Sequence, residues 1–417
     1  MSAARPSPES TSSHNLRAMT LRAFLYGLQT NMTRTIWQPF ALHLGVPMSL
    51  LGLLESIGGF FGLVSTAMLP LGGWLSDRRG RKPVIAVASL FGFAALATFS
   101  LAAWRGEWRL LLPGVVLLGL IAIARPAVDS ITAESTAPEA RGHAFSLVNT
   151  SYAAAGVLTP TIGGFLASRY GFLSALAVGA GLELATFGLV AMFVTETLPR
   201  GARQPLRTSE FFSLVRRLAT PPAKLRSFYV AAAIDAIAFG MGATILFGLL
   251  SDTYGFTPFQ LGLMSSVQSL TWAISQLFIG RQVDKRGCVL FLIISELISV
   301  VVLAGWMVVK SYPAFLVLHA VGGLAVAAWV PAFMAWITNS VPEKQRAEEI
   351  GRLGAFRGFL SFPAPYVGGL LYEAFGFSGP IAANLVGAVI VTVLLWLFVK
   401  DPPPLPPGET NSPVERT

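Results

Sequence analysis

Apolar stretches alternate with short polar stretches along almost the whole chain. Each apolar stretch is roughly 20 residues long, and at ~1.5 Å of rise per residue a helix of that length crosses a hydrocarbon core ~30 Å thick. The stretches do not alternate apolar and polar positions as a membrane β-barrel does, so helices are the expected form. Twelve transmembrane helices are predicted, over residues 23–42, 49–73, 83–104, 110–133, 143–167, 172–194, 227–250, 258–280, 289–309, 313–337, 353–371 and 378–399.

The composition and the charge distribution both indicate a membrane protein. Hydrophobic residues make up 53% of the chain and charged residues 12%, which is too apolar for a soluble domain. If the first helix runs outward, 23 Lys and Arg residues fall in cytoplasmic segments and four in the opposite loops. Positive loops stay in the cytoplasm during insertion, so both termini are predicted to be cytoplasmic and the protein to lie in the plasma (inner) membrane.

The net charge of +9 is accounted for by these loops, which would attract anionic lipid headgroups. The expected partners are therefore the lipid bilayer, a small-molecule substrate and protons, and no nucleic acid. A single cysteine, Cys288, excludes an intramolecular disulfide. Because the sequence has no nucleophile–base set, phosphate loop or metal-ligand spacing, no enzyme activity, catalytic residue, metal or cofactor is predicted. A monomer is expected.

The two halves of the chain repeat each other in short motifs. The motif over residues 73–80 is echoed at 280–287, and the motifs at 126–127, 160–164 and 170–172 are echoed 205 positions later. Repeats of this kind hold a substrate site at their interface near the bilayer midplane. The predicted fold is an all-α membrane protein with twelve transmembrane helices arranged as two six-helix bundles. The predicted divisions are a disordered cytoplasmic N-tail over 1–19, bundles over 20–194 and 227–399, a cytoplasmic linker over 195–226, and a disordered cytoplasmic C-tail over 400–417.

The loop after the second predicted helix reads Gly-Trp-Leu-Ser-Asp-Arg-Arg-Gly-Arg-Lys over residues 73–82. It resembles the signature loop of the major facilitator superfamily, and the resemblance covers essentially residues 20–400. It implies the major facilitator fold and conformational gating by Gly73, Asp77, Arg78, Gly80 and Arg81. In that family the aspartate acts at the N-terminus of the eleventh helix, where a carboxylate is favourable, and joins a charge cluster that latches the outward-facing state.

The resemblance places the third member of this cluster at Glu134, with Arg81 between it and the aspartate. In the second half Asp284 repeats the aspartate, whereas Cys288 and Asn339 stand where the base and the acid would repeat. Loss of the base and the acid together indicates that the two charges of the first half form a pair, because either one alone would be a poorly solvated ion. Unrelated drift at two loop positions is the alternative.

The fifth predicted helix resembles part of the antiporter motif of the same superfamily, with Ala155 and Thr159 in place of its leading glycines. The chain therefore resembles the proton-coupled multidrug antiporter branch weakly. Small residues let helices approach closely. Close packing between the halves is predicted for Pro160, Gly163, Gly164, Pro365, Gly368 and Gly369.

Ionisable side chains inside predicted helices cost at least about 2.5–3.5 kcal/mol each unless they have a partner or an aqueous path. Asp235 lies ~13 Å into its helix with no base within one turn, and it is predicted to carry a proton. Glu183 and Glu296 fall on helices that are peripheral in the family and have no predicted role. The full set is Arg34, Glu55, Arg125, Asp129, Glu183, Asp235, Glu296, His319 and Arg357.

Two ion pairs are predicted among these residues. Arg125 and Asp129 are four residues apart on one helix and share a face, and Arg34 and Glu55 lie at comparable depth on antiparallel helices. For each pair, a self-contained structural role and a role in substrate binding or gating both remain open. Arg357 is predicted to be a gate partner near Asp77.

Amide and aromatic side chains on the predicted lining helices could form an adaptable wall for a substrate. Core packing or an interfacial belt explains the tryptophans as well or better. His319 is expected to be a hydrogen-bonded packing residue rather than a proton shuttle. The wall residues are Gln29, Asn31, Gln38, Trp329, Phe333 and Trp336.

The leading hypothesis is secondary active transport of a small organic molecule by alternating access, as proton-coupled efflux of an amphipathic compound. Protonation of Asp235 or Asp129 would change the preference between the two states. The alternative is uptake of an organic anion held by Arg34 and Arg125. A non-transporting membrane sensor or scaffold with this fold is the alternative from another class.

Overall fold

The computed structural model describes residues 8–59, 61–137, 140–199, 220–342 and 345–402. Over these residues the chain forms twelve helical segments and no strand. We number the segments α1 (Pro8–His43), α2 (Met48–Arg79), α3 (Arg81–Arg105), α4 (Trp108–Glu134), α5 (Arg141–Tyr170), α6 (Phe172–Phe193), α7 (Ala223–Tyr254), α8 (Pro258–Arg286), α9 (Cys288–Val308), α10 (Tyr312–Ser340), α11 (Arg346–Ser361 and Ala364–Phe375) and α12 (Ser378–Phe398).

Eight of these segments, in the part of the chain that the structure describes, are long and apolar enough to cross a membrane. The other four, α1, α5, α8 and α11, coincide with predicted spans but are more polar or interrupted. All four contact the other half of the chain, α1 through Gln38 and α5, α8 and α11 through close glycine contacts. A helix that faces protein on one side needs fewer apolar residues than one surrounded by lipid.

Helix interruptions occur in four segments. The helix of α2 stops at Gly58 and resumes at Leu63, and that of α11 stops at Ser361 and resumes at Ala364. Segments α4 and α7 each contain an internal 3₁₀ turn, over Ile121–Ile123 and Ala243–Ile245. Irregular backbone at membrane depth is tolerated only where protein buries it or where it faces water, so the interruptions mark inward-facing parts of the helices.

The apolar core consists of three clusters. We call residues 8–199 the N-terminal half and residues 220–402 the C-terminal half. One cluster joins the halves and includes Trp37 and Leu51 together with Leu249. The second cluster is confined to the C-terminal half around Phe228, and the third to the N-terminal half around Ile85. The halves therefore share a core at one end, which we call the closed end, and have separate cores at the other, the open end.

The predicted disordered N-tail is wrong from Pro8 onward, because α1 begins there. The Asn15 side chain is buried and donates to the hydroxyl of Ser135 and the carbonyl of Thr195, both at 3.1 Å. It also accepts a hydrogen bond from the Thr195 amide at 2.8 Å. These contacts tie the start of α1 to the ends of α4 and α6, so polar residues that resemble a tail by composition are part of the folded bundle.

Glycines bring α5 and α8 into backbone contact across the halves. A Cβ atom at Gly164 would overlap the carbonyl oxygen of Pro258, and a Cβ atom at Gly262 would overlap the carbonyl oxygen of Pro160. No other residue type fits this approach without a shift.

A second contact of the same design joins α2 and α11. A Cβ atom at Gly369 would overlap the carbonyl oxygen of Met48, and one at Gly52 would overlap that of Pro365. We call these two contacts the glycine seams. Gly164 and Gly369 are separated by the 205 positions of the sequence repeat, so the two seams use equivalent glycines of the two halves.

The first glycine of each pair packs differently from the prediction. A Cβ atom at Gly163 would meet Met32 of α1, and one at Gly368 would meet Met241 of α7. Each of these contacts lies within one half. Only the second glycine of each pair therefore faces the other half, because neighbouring residues on a helix point about 100° apart.

Candidate functional site

Asp235 on α7 forms an ion pair with Arg357 on α11, at 2.8 Å between Oδ2 and Nη2. The guanidinium also donates through Nε to the carbonyl of Ala232 at 3.1 Å. The prediction that Arg357 lies near Asp77 is wrong. It is wrong because the arginine faces α7 inside its own half, where it supplies the base that Asp235 lacks on its own helix.

Two aromatic rings contact the same guanidinium. The Cζ atom of Arg357 lies 4.9 Å from the ring centre of Phe333 on α10 and 5.3 Å from that of Phe61, both within cation–π range. Phe61 belongs to the interruption of α2, so it comes from the other half of the chain. Trp329 stacks on Phe333 at 5.7 Å and extends this aromatic surface.

Glu296 on α9 is a second acid beside this pair. Its side chain is 4% exposed, and the charged groups that act on it are Asp235 and Arg357. The sequence predicts no role for this acid, and its position along the chain does not reveal that it interacts with Asp235 and Arg357. The two acids and one base leave the group with one excess negative charge when all three are ionised.

The predicted ion pair between Arg34 and Glu55 does not form among the described residues. The Glu55 carboxylate instead accepts from the indole of Trp37 at 3.0 Å and from the amide of Gln38 at 2.8 Å. Arg34 is exposed. The sequence placed the two charges at the same depth, but helix rotation turns them to different neighbours.

Gln38 connects the two halves at the closed end. Its amide nitrogen donates to the carbonyl of Thr244 at 2.6 Å, and its oxygen accepts from the amide of Gly248 at 2.8 Å. Thr244 lies in the 3₁₀ turn of α7 and Gly248 follows it by one helical turn. Gln38 is buried, so it is a bridge between α1 and α7 rather than an open wall residue.

Arg125 and Asp129 on α4 are both exposed, and no ion pair joins them in the described structure. This corrects the predicted pair, although the charge of Arg125 still acts on Asp129, as does that of Arg22 on α1. Arg22 is buried with its guanidinium 5.2 Å from the ring centre of Tyr26. It also lies in range of Glu183.

Glu183 on α6 is 1% exposed and packs where a side chain at Gly92 of α3 would otherwise stand. This glycine leaves room for the carboxylate between two helices. The acid without a predicted role therefore lies inside the N-terminal half, facing Arg22.

Three other predicted residues have structural contacts. Asn31 donates to the carbonyl of Gly27 on its own helix at 2.8 Å. Trp336 is buried, stacks on Phe228 and donates to the carbonyl of Lys400 at 3.0 Å, so it does not form a wall. His319 is buried against Trp306, but neither of its ring nitrogens has a hydrogen-bond partner in the described structure, which corrects the hydrogen-bonded role expected for it.

The charge cluster of the signature loop forms at the open end. Arg81 contacts Glu134 at 2.7 Å and Asp77 at 3.4 Å. Gly80 adopts a φ of 112°, a conformation that disfavours side chains, and so permits the turn between α2 and α3. The Asp77 side chain is 61% exposed.

Three further residues of the predicted gate complete the description of this region. Arg78 lies over the ring of Trp74, with 5.0 Å between Cζ and the ring centre. Gly73 faces Pro126 of α4, and a Cβ atom there would make ordinary contact at 3.7 Å. The side chain of Asp284 lies outside the described part of the structure.

Sequence reasoning missed a repeated acid that caps a helix in each half. The Glu196 carboxylate accepts from the amides of Arg81 and Lys82 at the start of α3, at 3.0 and 3.1 Å. The Asp401 carboxylate accepts from the amides of Cys288 and Val289 at the start of α9, at 2.6 and 3.0 Å. The signal was present, because residues 196 and 401 are separated by the same 205 positions as the other repeats.

A sequence profile of the Major Facilitator Superfamily matches residues 19–251 and again residues 228–416. The chain therefore belongs to this superfamily, and it is a multi-pass membrane transporter rather than an enzyme.

Two relatives share about a quarter of their residues with this chain. "Multidrug resistance protein MdtG" of Serratia proteamaculans is 24% identical over 356 residues, which is 84% of each chain. "Tetracycline resistance protein, class C" of Escherichia coli is 25% identical over 370 residues, which is 85% of this chain and 86% of the relative. Among solved structures, the human organic anion transporter MFSD10 (TETRAN) superposes with a TM-score of 0.66 at 19% identity, over 94% of this chain and all of that one. This likeness shows the fold.

Proposed function

We propose that the protein is a secondary active transporter that exports amphipathic organic compounds in exchange for protons. The names of the multidrug and tetracycline resistance relatives support efflux. The observation that carries the proposal is the ion pair of Asp235 and Arg357, which joins α7 and α11 inside the membrane. Charged side chains inside a membrane are costly, and they are typical of substrate and ion pathways; this pair lies where residues from both halves meet.

Alternating access would come from movement of two six-helix bundles, residues 20–194 and 227–399, connected by the linker over 195–226. The shared core at the closed end and the separate cores at the open end support this division. The open end carries the signature loop and its cationic side chains. By the positive-inside rule that end is cytoplasmic, together with both tails, so the structure represents an inward-facing state.

The signature loop supports the same state. Asp77 pairs with Arg81 of its own loop, and its carboxylate is largely exposed. The resemblance to the superfamily implies that this carboxylate acts at the N-terminus of α11 in the outward-facing state. An exposed Asp77 fits an inward-facing state in which the latch is released.

Proton coupling is assigned to Asp235, with Asp129 as the second acid. A proton on Asp235 removes its charge and releases the guanidinium of Arg357 from the 2.8 Å contact. Since Arg357 also contacts Phe61 of the other half, this release changes an interaction between the halves. A ligand shifts a two-state equilibrium only through such differential interaction.

Transport in proteoliposomes tests the proposal. An imposed pH gradient should drive efflux of a fluorescent amphipathic substrate such as ethidium. The double variant Asp235→Asn with Asp129→Asn should abolish the gradient dependence and leave downhill exchange. Glu107→Gln, which changes an exposed loop acid, is the control and should behave as the parent protein. Undiminished coupling in the double variant would remove the proton assignment.

Uptake of an organic anion is the second candidate, and it is favoured by the exposed cations Arg34 and Arg125. Neither has an ion-pair partner within 4 Å in the described structure. Thermal unfolding with a ligand panel separates the two candidates. Protection by organic anions, and none by hydrophobic cations, would favour uptake.

A further inference from the structure

The surroundings of Arg357 form a receptor for a cation. The guanidinium contacts the rings of Phe333 and Phe61 at 4.9 and 5.3 Å and the carboxylate of Asp235 at 2.8 Å. Aromatic faces with one carboxylate are the surroundings that bind organic cations in proteins. Here the cation in that position belongs to the chain itself.

The charges around this receptor are unbalanced. In the described part of the chain, the titratable groups that act on one another here are Asp235 from α7, Glu296 from α9 and Arg357 from α11. When both acids and the base are ionised, the group carries one excess negative charge and has room for one further positive charge. Burying an uncompensated charge is costly, so a second cation would be stabilised.

We propose that Phe61, Phe333 and Asp235 form a binding site for a monovalent, aryl-bearing organic cation, and that Arg357 occupies this site as a tethered substitute when no ligand is bound. An incoming cation displaces the guanidinium and pairs with Asp235. The released Arg357 then pairs with Glu296, so that each cation has one acid. The inference rests on the proposed function for the identity of the ligand as the transported substrate, and it specifies the charge of that substrate.

The position of Phe61 gives the site a link to conformation. Phe61 lies in the interruption of α2, while the other members lie on the C-terminal half. Beside it, Gly358 of α11 faces Thr66 of α2 so closely that a Cβ atom would overlap the threonine hydroxyl. The site is complete only while the halves meet at this level, so a bound cation would favour that arrangement.

The test is equilibrium binding to the purified full-length protein in detergent, with tetraphenylphosphonium as the cation and tetraphenylborate as the anion of similar shape. Arg357→Ala removes the internal competitor. We expect it to tighten tetraphenylphosphonium binding at least tenfold without tightening tetraphenylborate binding. Adding Asp235→Asn should abolish the gain. Arg352→Ala is the matched control, because Arg352 lies on the same helix and pairs with Glu348 and Glu349 instead of Asp235.

Unchanged or weaker cation binding in Arg357→Ala would overturn the inference, and so would an equal gain for both probes, since that would reflect enlarged space only. Arg357→Gln keeps much of the side-chain length without the charge and supplies a second variant if Arg357→Ala does not fold. It should also tighten tetraphenylphosphonium binding without tightening tetraphenylborate binding, and unchanged affinity would overturn the inference. Binding requires neither transport nor a pH gradient, so failure of this site and failure of the proposed function give different results.

Discussion

Replacement of Gly164 by Ala should weaken the closed end of the molecule. The added Cβ atom would overlap the carbonyl oxygen of Pro258 and lie 2.9 Å from the Cα atom of Phe259. Both atoms are backbone, so they yield only if α5 and α8 separate. Overpacking of this kind costs about 1–3 kcal/mol. If a cost of about 2 kcal/mol applies only to the state in which the halves are packed together at the closed end, the ratio of this state to the state in which they are separated there falls roughly thirtyfold.

Distance measurement between spin labels can detect this shift. Labels at Tyr170 and Phe375 report the separation of the halves, because both side chains are exposed near the closed end. The single cysteine, Cys288, is buried and is replaced by Ser beforehand. Gly164→Ala should increase the population with the longer distance. Gly181→Ala is the control, because a Cβ atom there meets open space. Identical distance distributions in the two variants would refute the reasoning.

Two further predictions test other contacts. Gln38→Ala removes two hydrogen bonds between the halves, worth about 0.5–1.5 kcal/mol each, so the same spin labels should show a larger population with the longer distance. Asn31→Ala loses a hydrogen bond within one helix and should leave the distances unchanged. Equal shifts in the two variants would contradict the bridging role of Gln38. Glu196→Ala and Asp401→Ala each remove the acid that caps a helix, a loss of about 0.5–2 kcal/mol, so thermal unfolding in detergent should begin at lower temperature for both; an unchanged melting temperature for either would show that its cap is dispensable.

The helical segments were the most accessible part of the fold from sequence. In the described part of the chain, length and hydropathy alone identify eight of the twelve segments as long and apolar enough to cross a membrane, because lipid demands satisfied backbone groups over a set thickness. The sequence predicts a first helix over residues 23–42, whereas α1 begins at Pro8. The prediction begins too late because Asn15 and its neighbours are polar. Their burial depends on partners from α4 and α6, and composition carries no information about those partners.

The candidate site was only partly accessible, for a related reason. The depth of Asp235 follows from counting along one helix, but its partner lies 122 positions away and on a face that hydropathy does not define. The expected pairs of Arg34 with Glu55 and of Arg125 with Asp129 assumed that equal depth or helical spacing brings charges together. Rotation of each helix decides this, and rotation is set by packing.

The interruption of α2 had a visible sequence signal. Gly58, Gly59 and Gly62 stand close together in an apolar stretch, and glycine-interrupted membrane helices indicate binding sites. The repeated acids at positions 196 and 401 were also detectable at the offset of the other repeats. Their function as helix caps required the three-dimensional position of the helix ends.

The glycine seams have a consequence for the rate of switching. Where the surfaces meet backbone to backbone, few side chains have to repack when one helix slides on another, and hydrogen bonds such as that between Thr161 and Ser266 hold the seam instead. The activation barrier for exchange between states therefore resides in the polar contacts that must break rather than in these smooth surfaces. Substitutions that bring side-chain branches into either seam would add friction to this movement and slow turnover, in addition to any shift in the balance between the states.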